Sequence, residues 1–401
     1  MSDGVRVGIL GGGQLALMLA DAGRELGLHV RVLSKDPSDP AAPAAEHVAG
    51  DPNAVADILR FSEGCDLVTF ENEFVPAAAL RALAELGGDR VRPAPSVLFE
   101  LQNKGRQKRL LERLGIPSSR WLSPEAGERA DDWARRMWLE FPEGPVLKWA
   151  ELGYDGRGTC LAHSLEEAVE FAREAFARGR EIFAEARVDF AREVAVVASR
   201  SAVSDFRAWP LVVSKQVGGT CFLVTGPATE LGVPVELEEK AHDYARRIAE
   251  ALDVTGTFAI ELFETRDGRL LVNELAPRVH NSGHYTMDAS ATSQFANHWR
   301  GVLGLSLGDT RSHCGAFAMI NLLGPPIVPQ HSGELPVPTV SAMAGAEFRS
   351  HWYGKNEVRA GRKMGHVNAV VASKRDLAKA VERLEECERQ WTLDIERGFS
   401  S

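Results

Sequence analysis

Two glutamates, Glu261 and Glu274, carry the strongest chemical signal in the chain. Each sits in a largely apolar run, Phe258 to Leu262 and Leu270 to Leu275. Asp267-Gly268 between them is a strong hairpin signal. A turn centred on that dipeptide sets Glu261 opposite Glu274 on one face, with Cβ atoms ~4.5–5.5 Å apart, and like charges so placed repel. A hard divalent cation would compensate, and magnesium usually arrives with substrate phosphates. A proton shared by the two carboxylates, or a splay of both into solvent, are the alternatives. Metal is favoured because Arg278-Val279-His280-Asn281-Ser282-Gly283-His284, just downstream, is dense in groups that bind anions.

Other reactive residues fall at informative places. Lys148 lies inside the apolar strand predicted over Pro145 to Trp149, where an ammonium is costly unless paired. Lys104, Arg106, Lys108 and Arg109 crowd a helix predicted from Val97 to Leu114, with Ser96 as its cap and Gly115 and Pro117 as its stop. Such a basic helix is usually a solvated face, with one ligand among its residues at most. Gly153-Tyr154-Asp155-Gly156-Arg157-Gly158 interleaves glycines with an aromatic, an acid and a base, as a mobile lid over phosphates would. Glu71-Asn72-Glu73 follows the strand Asp66 to Phe70, at the sheet edge where ligands lie; a solvated acidic loop is the equal alternative. Basic residues regain density at Tyr353-Gly354-Lys355 and Gly361-Arg362-Lys363, which suggests a phosphate contact.

The elements that position these groups begin with a βαβ opening. Val5 to Leu10 reads as a strand, Leu15 to Leu26 as a helix and Val30 to Leu33 as a second strand. Gly11-x-Gly13-x-x-Ala16 formally matches a dinucleotide fingerprint. The second strand ends in Ser34-Lys35 instead of the expected acid, which argues against a nicotinamide dehydrogenase. The glycines still permit a phosphate at the helix N-terminus, and a tight turn without a ligand is the alternative. Helices are predicted over 165–178, 234–252, 293–303 and 374–387, and strands over 181–186, 193–198, 316–322 and 368–372. Pro325 to Pro338 reads as loop.

The 401 residues allow two or three domains. A net charge of −10 removes any global electrostatic footprint for nucleic acid, so an anionic ligand needs local basic clusters. Five scattered cysteines without a Cys-x-x-Cys pair fit a reducing cytosol. No signal-like start and no run of 18 apolar residues is present, so the expectation is a cytoplasmic protein without a membrane partner.

Taken in order, these stretches resemble the ATP-grasp superfamily, and within it the 5-(carboxyamino)imidazole ribonucleotide synthetase family of purine biosynthesis. The likeness runs from Gly11-Gly12-Gly13-Gln14-Leu15 to Gly361-Arg362-Lys363-Met364-Gly365-His366. Its specific markers are residues 153–158, Asn273-Glu274-Leu275-Ala276-Pro277-Arg278, residues 280–286, Thr292-Ser293-Gln294-Phe295 and residues 353–366. The resemblance implies a mixed α/β and α+β chain. A Rossmann-like pre-ATP-grasp domain would span 1–95, an ATP-grasp domain 96–310 with a lid near 115–185, and a small C-terminal domain 311–401. It also implies a homodimer.

The implied reaction joins bicarbonate to 5-aminoimidazole ribonucleotide through carboxyphosphate, with ATP as co-substrate and magnesium as cofactor. Another ATP-grasp ligase or transformylase with a different acceptor is the alternative. On this likeness Lys104 and Lys148 meet ATP phosphates, Glu185, Ala186, Arg187 and Val188 read adenine, and Glu193 takes the ribose. Glu261 and Glu274 hold magnesium. Tyr154, Asp155 and Arg157 close over bicarbonate and the amine, and Arg278, His280 and Asn281 line that centre. Gln14, Leu15, Glu73, Lys355 and Arg362 take the ribonucleotide. Where the family carries a Glu-Asn-Val-His strand, this chain has Val213-Ser214-Lys215-Gln216.

Overall fold

The computed structural model describes residues 4–87, 89–151, 153, 158–326 and 335–398. Among these residues three sheets form. The first is parallel and is built from β1 (Arg6–Leu10), β2 (His29–Ser34), β3 (Glu46–Ala49) and β4 (Leu67–Phe70), in the order β3-β2-β1-β4. Helices α1 (Gln14–Glu25) and α2 (Val55–Glu63) connect its strands, and α3 (Ala77–Glu85) follows it. Val7, Ile9 and Val32 are completely buried, as strands covered on both faces require. The strand order reverses between β1 and β4, so a crevice opens at their carboxyl ends. Gln14 and Glu71 to Glu73 sit at that crevice.

The predicted basic helix is two helices, α4 (Pro95–Leu101) and α5 (Lys104–Arg113). The break is at Asn103, whose side chain caps α5 by accepting from Arg106 N at 2.9 Å. The same side chain donates to Glu151 and Glu181, far along the chain, and Lys104 N donates to Ala150 O. A cap tied to distant residues overrides a continuous apolar periodicity.

A small antiparallel sheet comes next, in the order β5-β8-β6-β7. Its strands are β5 (Trp121–Leu122), β6 (Pro145–Trp149), β7 (Thr159–Leu161) and β8 (Ile182–Ala186). Helices α6 (Ala130–Glu140) and α7 (Leu165–Ala177) give it a core of its own around Trp133, Met137, Phe141 and Leu147.

The third and largest sheet is antiparallel. It contains β9 (Phe190–Arg200), β10 (Phe206–Ala208), β11 (Val212–Val217), β12 (Thr220–Gly226), β13 (Gly256–Thr265), β14 (Leu270–Ala276), β15 (Ala316–Leu323), β16 (Ala346–Trp352) and β17 (Lys363–Val371). The path runs β14-β13-β9-β11-β12-β15-β17-β16, with β10 on β9. Helix α8 (Val235–Leu252) lays Leu237, Ala241, Ala245 and Ile248 against Val194, Val196 and Ile260, an i, i+3/i+4 stripe on a strand face. After the short α9 (Thr286–Ala289) comes α10 (Gln294–Val302). It fastens the parallel sheet to the large one: Trp299 Nε1 donates to Leu19 O at 2.7 Å, and His298 Nε2 meets Thr69 Oγ1 at 2.8 Å. Helix α11 (Leu377–Glu396) covers β15 and β17 with Leu377, Ala380, Leu384 and Trp391. Among the described residues no helix is long and apolar enough to cross a membrane.

The glycine turn after β1 holds a carboxylate of the protein itself, where the sequence favoured a phosphate. Glu71 is buried, and its Oε2 accepts from Gly13 N at 2.8 Å. A Cβ at Gly13 would run into that carboxylate. Replacing Gly13 with alanine should therefore cost about 1–3 kcal/mol. Thermal unfolding checks this, and an unchanged midpoint would rule the contact out as the reason for the glycine.

Candidate active site

A cleft of about 660 Å³ lies where the three sheets meet. Gln14, Leu15 and Glu73 line it from the parallel sheet, and Lys104 from α5. Lys148, Glu185, Ala186, Arg187 and Val188 come from the small sheet and the segment after it. Glu193, Glu261, Glu274, Arg278, His280 and Asn281 come from the large sheet and its following turn. Two residues assigned by resemblance stand beside the cleft and do not line it. Lys355 donates to Gln14 Oε1 at 2.9 Å and to Lys363 O at 2.6 Å, and Arg362 Nη1 donates to Glu357 O at 2.8 Å. Tyr154, Asp155 and Arg157 lie outside the described residues.

Glu261 and Glu274 pair directly across β13 and β14, as the hairpin pattern predicts, but the tip has a different geometry. The loop is three residues long: Thr265 N donates to Arg269 O, and Gly268 takes the left-handed conformation at φ 76°. This shifts the register by one. A bulge at Asn273 shifts it back, so that Leu262 faces Val272 while Glu261 faces Glu274. Asn273 and Glu274 consequently both line the cleft, although they are adjacent in sequence.

Burial, reinforced by Glu274, pushes the Glu261 carboxyl up to about 7. Lys104 Nζ lies 2.7 Å from Glu274 Oε2 and stays protonated, because Glu274 outweighs the cost of its burial. His280 Nε2 is 3.4 Å from Glu261 Oε1. Its Nδ1 meets Ser282 Oγ at 2.8 Å, and Ser282 N also points to Nδ1. The network thus assigns the proton to Nε2, and burial with Arg278 nearby keeps the ring neutral. Asn281 and Asn321 exchange amide hydrogen bonds at 3.0 and 2.6 Å.

Glu185 bridges two lysines. Lys148 pairs with its Oε1, and Lys108 Nζ reaches its Oε2 at 2.8 Å, with Ser119 Oγ on the same oxygen at 2.7 Å. Burial disfavours the charge, yet Lys148 and Lys108 together hold this carboxyl far below the usual range. The partly buried Lys148 is therefore paired, and Lys108 is a buried partner instead of part of a solvated face. Lys148 Nζ also donates to Asn273 Oδ1 at 3.2 Å.

The acids after β4 are no solvated loop. Arg278 clamps Glu73 through Nε and through Nη2, the latter at 3.0 Å from Oε1. Burial works against the Glu73 charge, and Arg278 more than offsets it. Burial, with Arg362 adding repulsion, lowers Lys355 to about 8.

Several lining residues went unnoticed in the sequence. Phe190 and Phe263 stack with centroids 4.8 Å apart at the cleft wall. Phe263 is two residues after Glu261, so the strand period already put it on the same face. Lys363 of the basic stretch and Gln216 of the divergent strand, both named in the sequence without a site role, also line the cleft, and Ser214 pairs with Glu193. Asn273 carried no local signal, because its direction depends on the bulge.

Sequence comparison assigns this arrangement to a class. The ATP-grasp domain family matches residues 109–295 and the ribonucleotide synthetase preATP-grasp domain family residues 5–102. The phosphoribosylaminoimidazole carboxylase C-terminal domain family matches 318–380. The chain is an ATP-grasp enzyme. It is 39% identical over 381 residues to N5-carboxyaminoimidazole ribonucleotide synthase of Mycobacterium tuberculosis, covering 94% of this chain and 86% of that one. The protein belongs to the N5-carboxyaminoimidazole ribonucleotide synthase family. The crystal structure of the Thermus thermophilus synthetase superposes with a TM-score of 0.82 at 38% identity, covering 95% of this chain and 98% of that one. The Aspergillus clavatus synthase, solved with ADP and 5-aminoimidazole ribonucleotide, gives 0.82 at 27%, covering 97% and 100%.

Proposed function

We propose that this protein carboxylates 5-aminoimidazole ribonucleotide with bicarbonate, using ATP and passing through carboxyphosphate. The products are N5-carboxyaminoimidazole ribonucleotide, ADP and phosphate, as a step of de novo purine biosynthesis. One observation carries the reading: the likeness to synthases of this name extends over nearly the whole chain, with the nucleotide-type residues and Gln14, Leu15 and Glu73 on one cleft and Lys355 bonded to Gln14 beside it.

In this reading Lys104 and Lys148 orient and neutralise the ATP phosphates, which is most of what phosphoryl transfer requires. Glu185 to Val188 contact adenine and Glu193 the ribose. Phe263 and Phe190 form an aromatic wall for the purine. Replacing Phe263 with alanine should raise the KM for ATP about five- to tenfold, from a lost aromatic contact of roughly 1 kcal/mol. An unchanged KM in steady-state kinetics would remove Phe263 from the nucleotide site.

Glu261 and Glu274 suit magnesium. They are two facing carboxylates, and no group of three or more His, Cys, Asp or Glu arranged for a metal occurs among the described residues. Magnesium is the ion that takes one or two carboxylates and completes its shell with phosphates and water. When bound it neutralises charge on the phosphates. Arg278, His280 and Asn281 orient the carboxyl donor and the amine, with Tyr154, Asp155 and Arg157 assigned to the covering lid. Gln14, Leu15, Glu73, Lys355 and Arg362 hold the ribonucleotide. The division at 95 and 310, with a lid over 115–185, belongs to the same reading, as does a cytoplasmic homodimer.

The deciding experiment is phosphate release from ATP with magnesium and bicarbonate, with and without 5-aminoimidazole ribonucleotide. Release that depends on the ribonucleotide and consumes its free amine is expected. Turnover only with another acceptor would retain the class and sink the substrate.

A further inference from the structure

Gln294 begins α10 and is completely buried, yet it does not line the cleft. Its side-chain amide lies edge-on to the peptide groups of His280. His280 N donates to Gln294 Oε1 at 2.8 Å, and Gln294 Nε2 donates to His280 O at 2.7 Å. Backbone N–H can only donate and backbone C=O can only accept, so these two bonds force the orientation of the amide. The remaining Nε2 proton points to His284 Nδ1 at 3.3 Å.

The main chain extends the same clamp. Gln294 N donates to Thr286 Oγ1 at 2.9 Å, and that hydroxyl donates to Gly283 O at 2.6 Å. A Cβ at Gly283 would come within 2.8 Å of the Gln294 amide carbon and oxygen. One residue therefore ties the turn from His280 to Thr286 to the first turn of α10. Leucine or methionine would fill the same volume. Only a group with both a donor and an acceptor can fix where His280 sits and how its backbone is rotated. His280 in turn presents Nε2 toward Glu261.

We propose that Gln294 is a positioning residue, which sets His280 at the centre where the carboxyl group passes to the acceptor amine. The inference rests on the reaction proposed above. Gln294 acts on the second half of that reaction through His280; among the described residues its side-chain hydrogen bonds go to His280 and His284.

The test compares Gln294→Leu and the nearly isosteric Gln294→Glu, which keeps the acceptor for His280 N–H, with the wild type. Phosphate released and amine consumed are measured together. Carboxyphosphate that fails to meet the amine is lost to water, returning bicarbonate and phosphate. The expected result for Gln294→Leu is a tenfold or greater fall in kcat, with more phosphate released per amine carboxylated and a KM for ATP within about twofold of wild type. Gln294→Glu should lie between the two. A purely structural role would reduce the amount of folded enzyme and leave both the stoichiometry and the KM unchanged. Wild-type kcat and stoichiometry in Gln294→Leu would overturn the proposal, as would failure of both variants to fold. Wild-type enzyme inert toward the ribonucleotide would instead overturn the functional reading, and this inference with it.

Discussion

Glu274→Gln is expected to lower magnesium-dependent ATP turnover by on the order of 10²- to 10³-fold, the usual scale for losing one electrostatic element of a preorganised site. The substitution keeps shape and removes one of two charges that face each other across β13 and β14. It also removes the negative charge 2.7 Å from Lys104 Nζ. The pH dependence gives a second signature. Glu261 must be ionised to hold a cation, and burial with Glu274 opposite keeps its carboxyl at about 7. Apparent magnesium affinity should therefore fall up to tenfold per pH unit below that value and level off above it. In Glu274→Gln the break should move to lower pH, because the like charge is gone.

The sign for metal-free stability is opposite. Glu261 binds its proton more tightly in the folded than in the unfolded chain, where the value is about 4.3. Its contribution is full below that value and is lost as pH rises to about 7. Magnesium titrations of phosphate release between pH 6 and 8.5 would test the assignment; a break that stayed put in the variant would remove the Glu261–Glu274 coupling.

The second large effect is on stability. Arg278→Met should destabilise the fold by roughly 3–5 kcal/mol, because it leaves Glu73 buried without its cation. Adding Glu73→Gln should recover much of this, since an amide needs no counter-charge. In the wild type, burial opposes the Glu73 charge but Arg278 holds the carboxyl below its ordinary range. The stability it gives is present above about pH 4.3 and lost as pH falls through the lower folded value. Without Arg278, burial is set against only Lys104 and a backbone N–H, and the slope is expected to reverse. Urea unfolding across pH 4–8 reads both effects, and a variant as stable as wild type with the same slope would refute the clamp.

The parts of the site visible in the sequence were those with local causes. The alternation of β13 and β14 and the Asp-Gly turn were enough to pair Glu261 with Glu274. The three-residue loop and the bulge at Asn273 were not visible, because two register shifts that cancel leave the pairing unchanged. Lys148 announced itself as a charge in an apolar strand. Lys108 did not, because Glu185 and Ser119, which bury it, come from other parts of the chain. The split at Asn103 and the occupation of the glycine turn by Glu71 had the same kind of cause: a side chain held by residues distant in sequence. Family markers supplied most of the remaining assignments.

Strand β15 has a consequence for how the chain holds together. Leu223 to Gly226 of β12 hydrogen-bond to Phe317 to Ile320, so the ladder crosses from one matched family region into the next without a gap. The segments that evolution recognises as separate modules thus share one continuous backbone network. Separating the two regions would leave β12 and β15 as unpaired edges, so the backbone ladder does not stop where the matched regions do.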